Sequence, residues 1–244
     1  MVHHIEFTTL SETAWLIKWP EQIDKSIHAE VMQVYHYLQE NTLEGMLEMV
    51  PAYQSLAIYF DDSFLYREDD AWETTLKQKV SAALKSPPIR SAASVLVEIP
   101  VCYEADFAPD MQEVCNQTGL SAETIIQIHS AERYEVMMMG FMPGFPYMGI
   151  LPEALQTRRK SSPSRAVHPG SVAIAGNQTG IYPLESPGGW NVIGRTPLPL
   201  VQLQRENEFL FAPGYQVKFK PISRIAYDLF LQDPPNPFVK SFTV

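Results

Sequence analysis

The sequence predicts an α+β domain of the split βαβ, ferredoxin-like type over residues 1–100, then a mainly β domain over 101–244 closed as a small barrel. Two observations carry this. By hydrophobic period, the first hundred residues run strand, strand, helix, strand, strand, helix, strand. Residues 140–199 then hold 9 of the 12 glycines and 9 of the 20 prolines, a density that suits tight turns and short strands and breaks helices.

Alternating apolar residues place strands over 4–9 and 13–18. Ile23, Ile27, Val31, Tyr35 and Leu38 recur on one helical face across 22–40. Residues 45–50 and 54–60 read as a strand pair around Pro51. Trp72, Leu76, Val80 and Leu84 make a second helical face, which Ser86-Pro87-Pro88 ends. A strand over 93–99 completes the β-α-β-β-α-β order, with both helices on one face of the sheet. Two short helical stretches follow between 109 and 130, the second capped by Ser121. Tyr134–Phe141 is an apolar strand, so Met137-Met138-Met139 reads as buried strand and not as a plastic binding surface. Further strands fit 171–175, 190–194, 199–203, 208–212 and 216–222, and Ser223–Gln232 closes the chain as a helix.

With 244 residues and 45% hydrophobic content, the chain can bury sizeable cores, and dominant disorder is excluded. Eighteen Lys and Arg against 28 Asp and Glu leave a net charge of −10, which argues against a nucleic-acid partner. Residues 136–205 invert that balance locally: Arg158, Arg159, Lys160, Arg165, Arg195 and Arg205 face only Glu153 and Glu185, a pattern suited to a small anionic ligand. Cys102 and Cys115 fit neither a disulfide framework nor a zinc site. The N-terminus lacks a basic stretch followed by an apolar one, and no apolar run approaches the ~20 residues that span a bilayer. A soluble, cytoplasmic protein with no membrane partner is expected.

No Walker-type loop, GxGxxG, GxSxG or HExxH motif occurs. His28 and His36 lie two helical turns apart, too far to share an ion, and His129 reads with the others as a surface or boundary imidazole; no metal site is expected. What remains is the block from Gly140 to Pro197. Its aromatics lie among permissive glycines, its arginines offer planar forks to carboxylate or phosphate, and Gly170 and Gly176 allow close backbone approach to a ligand. Spacing alone names no nucleophile and no reaction.

The segments GFMPGFPYMG (140–149), RRKSSPSR (158–165), GSVAIAGNQTGIYPLESPGGWNVIGRTP (170–197) and APGYQVKF (212–219) resemble the allophanate hydrolase subunit 1 family. That family includes the B component of the bacterial ATP-dependent 5-oxoprolinase and a Bacillus inhibitor of the sporulation histidine kinase. The resemblance implies a small α/β N-terminal domain and a cyclophilin-like barrel. It also implies A- and C-type partner subunits, with which 5-oxo-L-proline is hydrolysed to L-glutamate at the expense of ATP, the nucleotide being held by this chain or by a partner. By the same resemblance Arg159, Gln178, Thr179 and Arg195 form the catalytic set, the arginines as anion contacts. Pro143, Gly144, Phe145, Ser171, Tyr182, Gly188, Gly189 and Trp190 form the ligand-binding set, with 187–190 as a wall or subunit-contact loop. His168 stands where relatives have a different residue and inherits no role. Two other functions fit the family: inhibition of a sensor histidine kinase through its dimerisation helices, and a carboxyltransferase-like or allophanate-hydrolase-like part in urea metabolism.

Overall fold

The computed structural model describes residues 3–62, 71–87, 95–202 and 208–233. Pro88, the start of the strand expected over 93–99, the end of that over 199–203, and Arg205 lie outside them. The chain folds as two units, Met1–Ala93 and Ser94–Val244.

In the first unit, strands β1 (Glu6–Ser11) and β2 (Ala14–Lys18) form a hairpin, helix α1 (Lys25–Glu40) follows, then β3 (Met46–Pro51), β4 (Ser55–Phe60) and helix α2 (Ala71–Lys85). The helix expected from residue 22 starts at Lys25, because Asp24 stays extended and its carboxylate accepts the backbone amides of Ser26 and Ile27. The sheet order is β1-β2-β4-β3, antiparallel throughout. Ile17, Leu56 and Ile58 from the sheet meet Ile27, Val31, Leu38, Leu76 and Val80 from the helices in one core.

The split βαβ expectation is corrected at its last strand. The edge beside β2 is taken by β1, which the two-residue turn at 12–13 brings back at little loop entropy. The segment expected there is instead β5 (Leu96–Cys102), and it belongs to the barrel. Val97, Ile99, Pro100, Val101 and Cys102 are all buried, so this strand needs cover on both faces, which a sheet edge does not supply.

In the second unit, β5 is followed by helices α3 (Met111–Thr118) and α4 (Ala122–Ala131), the latter capped by Ser121, whose hydroxyl accepts the amide of Thr124. Then come β6 (Tyr134–Met139), β7 (Pro146–Gly149), a 3-10 turn (Glu153–Leu155), β8 (Ser164–Val167), β9 (Ser171–Ala175), β10 (Gln178–Ile181), β11 (Ser186–Gly188), β12 (Asn191–Arg195), the stubs β13 (Val201–Gln202) and β14 (Glu208–Phe209), β15 (Gln216–Ile222) and helix α5 (Arg224–Gln232). Seven strands close in the order β10-β7-β6-β15-β5-β12-β9, with β5 and β15 parallel and the other pairs antiparallel. Alternate residues fill the interior: Val97, Ile99, Val101, Val136, Met148, Val172, Ile174, Ile181, Ile193, Val217 and Phe219. Met137 is fully buried in β6, as the strand reading of the methionine run expects. No helix among the described residues is long and apolar enough to cross a membrane.

Candidate functional site

A second apolar cluster lies on the outside of the barrel. On β9, Val172 and Ile174 point inward, so Ala173 and Ala175 point outward; on β10, Ile181 is inward. The outward residues join Phe145, Val167, Tyr182, Trp190 and Val192. Phe145 is the hub: its ring lies 4.8 Å from that of Tyr147, 5.2 Å from Tyr182 and 5.7 Å from Trp190. Gly180 makes room for it, since a Cβ there would stand 2.9 Å from the Phe145 ring.

Over this cluster lies a small flap in which β8 pairs with β11. The backbone amide of Lys160 donates to the Gly189 carbonyl at 2.8 Å, and its ammonium meets Asp110 at 2.6 Å and Ser164 Oγ at 2.8 Å. The second oxygen of Asp110 accepts the amide of Val192, so one carboxylate ties the basic segment to β12. Between flap and barrel runs a groove of about 270 Å³, walled by Phe141, Tyr147, Arg159, Pro163, Tyr182 and Gly188–Trp190. The Arg159 guanidinium sits 5.9 Å from the Trp190 ring centre. Burial raises the phenol pKa values of Tyr147 and Tyr182, opposed in part at Tyr147 by nearby Arg159 and at Tyr182 first by a hydrogen bond from the Trp190 backbone, then by Arg159. Arg159 also lines a wider polar cleft of about 720 Å³, together with Arg158, Ser161, Ser162, Gln156 and Asn191.

The structure therefore gathers Phe145, Arg159, Tyr182, Gly188, Gly189 and Trp190 around one groove. Pro143 and Gly144 line a neighbouring apolar cleft of about 580 Å³ with Phe209, Phe211 and Pro213, and Phe141, 61% exposed, borders both. Thr179 points the other way, into the barrel, where its hydroxyl donates to the Ala173 carbonyl and lies 3.0 Å from His129 Nε2. Gln178 is half-buried opposite Gly149 at the start of β10. Ser171 is buried opposite Arg195. Arg195 lies five residues beyond Trp190, roughly 16 Å along an extended strand, and its guanidinium packs 5.6 Å from the Phe107 ring and bonds Tyr227. Of the two arginines expected as anion contacts, Arg159 lines groove and cleft and Arg195 lines neither.

Two further expectations change. The Gly170 and Gly176 amides do not face a ligand: they donate to the carbonyls of Tyr182 and Thr157. His129 is no surface imidazole but fully buried on α4, packed 4.4 Å from Phe219. His168 is exposed and 4.0 Å from Glu185. Among the described residues no group of three His, Cys, Asp or Glu side chains could hold a metal ion. Tyr147 and Asn191 were not among the expected site residues although both lie inside the segments 140–149 and 170–197; only pairing of β7 and β12 into the barrel turns them toward groove and cleft.

Residues 5–211 match the family model of the carboxyltransferase domain, subdomains C and D. Over 238 residues the chain is 34% identical to the B-type subunit of the 5-oxoprolinase of Bacillus subtilis (strain 168), covering 96% of this chain and 99% of that protein. The crystal structure of TTHA0988 shares 32% identity with a TM-score of 0.73 over 86% of this chain, which spans only 40% of that longer one. The urea amidolyase of K. lactis matches 98% of this chain and 16% of its own with a TM-score of 0.75, but at 18% identity this is a likeness of fold alone. The family-model match and the Bacillus relative, aligned over nearly all of both chains, mean that the chain belongs to the carboxyltransferase subdomain C and D family, among its B-type 5-oxoprolinase subunits.

Proposed function

We propose that this chain is the B-type subunit of an ATP-dependent 5-oxoprolinase and contributes, with A- and C-type subunits, to the hydrolysis of 5-oxo-L-proline to L-glutamate. The observation that carries the reading is the 34% identity to a B-type 5-oxoprolinase subunit over 96% of the chain. A lactam is a poor electrophile, and activating its carbonyl develops negative charge that cations stabilise. In this chain Arg159, between groove and cleft, is the anion contact, and Arg195 is a packing residue. ATP is assigned to the partner subunits, and the chain alone is expected to be inactive. The relation to urea amidolyases is distant, 25% identity over 13% of the Lachancea kluyveri enzyme, so no role in urea metabolism is proposed.

A tagged pull-down from the native lysate, assayed for ATP-dependent release of glutamate from 5-oxoproline, tests the proposal. Recovery of A- and C-type subunits with that activity is expected. A histidine kinase recovered without the activity would replace this reading with the inhibitory one.

A further inference from the structure

The geometry points to the polar cleft over Asn191 as the binding site for a compact carboxylate bearing an N–H on the neighbouring carbon, which is the chemistry 5-oxoproline presents; naming that ligand rests on the oxoprolinase reading. Asn191 opens β12 and is fully buried. Its Nδ2 donates to the backbone carbonyl of Arg158 at 2.8 Å and to Thr157 Oγ1 at 3.2 Å. A backbone carbonyl can only accept, so the amide is fixed with nitrogen on that side. Its Oδ1 is then left buried with no hydrogen-bond partner. Buried amide oxygens are nearly always paired, so this one marks a place where a donor belongs.

The cations of the same cleft supply the second half of the recognition. Arg158 and Arg159 are exposed along its wall, whereas Lys160 is neutralised by Asp110. Glu113 is the opposing carboxylate, and it accepts from Gln117 Nε2 at 2.9 Å. An inorganic anion would satisfy the arginines and leave Asn191 unpaired. A neutral amide would satisfy Asn191 and leave the arginines facing water. A ligand with both groups on one carbon satisfies all three, its carboxylate on the guanidinium forks and its N–H on Asn191 Oδ1.

The test is direct binding to the full chain, by calorimetry and ligand-observed NMR, of three probes: 5-oxo-L-proline, the lactone that replaces its N–H by oxygen, and 2-pyrrolidinone, which lacks the carboxylate. Tighter binding of 5-oxoproline than of either analogue, by about tenfold or more, is expected. Replacing Asn191 itself would strip two structural hydrogen bonds, so the variant used is Arg158→Ala with Arg159→Ala, both exposed; a comparable loss for 5-oxoproline is expected. Equal binding of lactam and lactone, undiminished binding by the double variant, or no saturable binding overturns the assignment. An active assembly whose KM for 5-oxoproline is unchanged in that variant also overturns the cleft while leaving the oxoprolinase reading standing. An inactive assembly with the lactam bound overturns the oxoprolinase reading alone.

Discussion

Tyr103, His129 and Thr179 form a polar chain through the barrel core. Thr179 donates its one proton to Ala173, so it accepts from His129 Nε2–H, and His129 Nδ1 accepts from the Tyr103 hydroxyl at 2.9 Å. Burial drives the His129 pKa down to about 3 and holds the Tyr103 phenol well above its usual range, so both stay neutral. The unfolded chain binds a proton near pH 6.5 that the folded chain refuses until about pH 3. Stability from this group is therefore intact above pH 6.5 and falls by about 1.4 kcal/mol per pH unit below it. Urea titrations from pH 6.5 to 4.5 should show a shallower decline in His129→Gln than in the parent; equal slopes would remove His129 from the account. Thr179→Val leaves Nε2–H unpaired and should cost about 1–3 kcal/mol, with Thr179→Ser recovering most of it. Thr179 and Trp190 stand close in the same motif, yet the β10 pleat puts one inside the barrel and the other motif residue lies on the outer face. Side-chain alternation is legible in a sequence only once the strand is known.

At the scale of elements, the β9–β10 hairpin shows two different uses of glycine. Gly176 turns the chain at φ 56 in open space, so only backbone conformation requires it there. Gly180 has ordinary backbone and is required sterically by Phe145. Gly180→Ala should overpack the outer cluster, costing about 1–3 kcal/mol, and displace Phe145 from Trp190; the readout is loss of the part of the tryptophan near-UV circular dichroism signal that Trp190→Phe also removes. An unchanged signal would mean the cluster yields elsewhere. The helices were legible because their apolar residues recur on one face, and Ser121 adds a cap to the helix it starts. β7, β8, β10 and β11, of three or four residues each, were not, because Gly and Pro interrupt any period before it can repeat.

For the molecule as a whole, each unit owns a core, one around Leu56 and Ile58 and one inside the barrel. Leu56→Ala should cost about 2–5 kcal/mol and lower hydrogen-exchange protection in β1–β4, α1 and α2 while β5–β15 keep theirs; equal loss across both would overturn that separation. The sequence by itself determined the class of each half, the two amphipathic helices, the buried methionine strand and the Gly/Pro-rich block that carries the motifs, because these depend on local period and backbone permissiveness. Only tertiary structure decided that β1 takes the sheet edge and β5 enters the barrel, since the choice depends on which neighbours can cover a strand buried on both faces. It also decided that Arg159 and Arg195 are apart and that Asn191 lies at the arginine cleft, because pairing of strands distant in sequence sets which face each side chain meets.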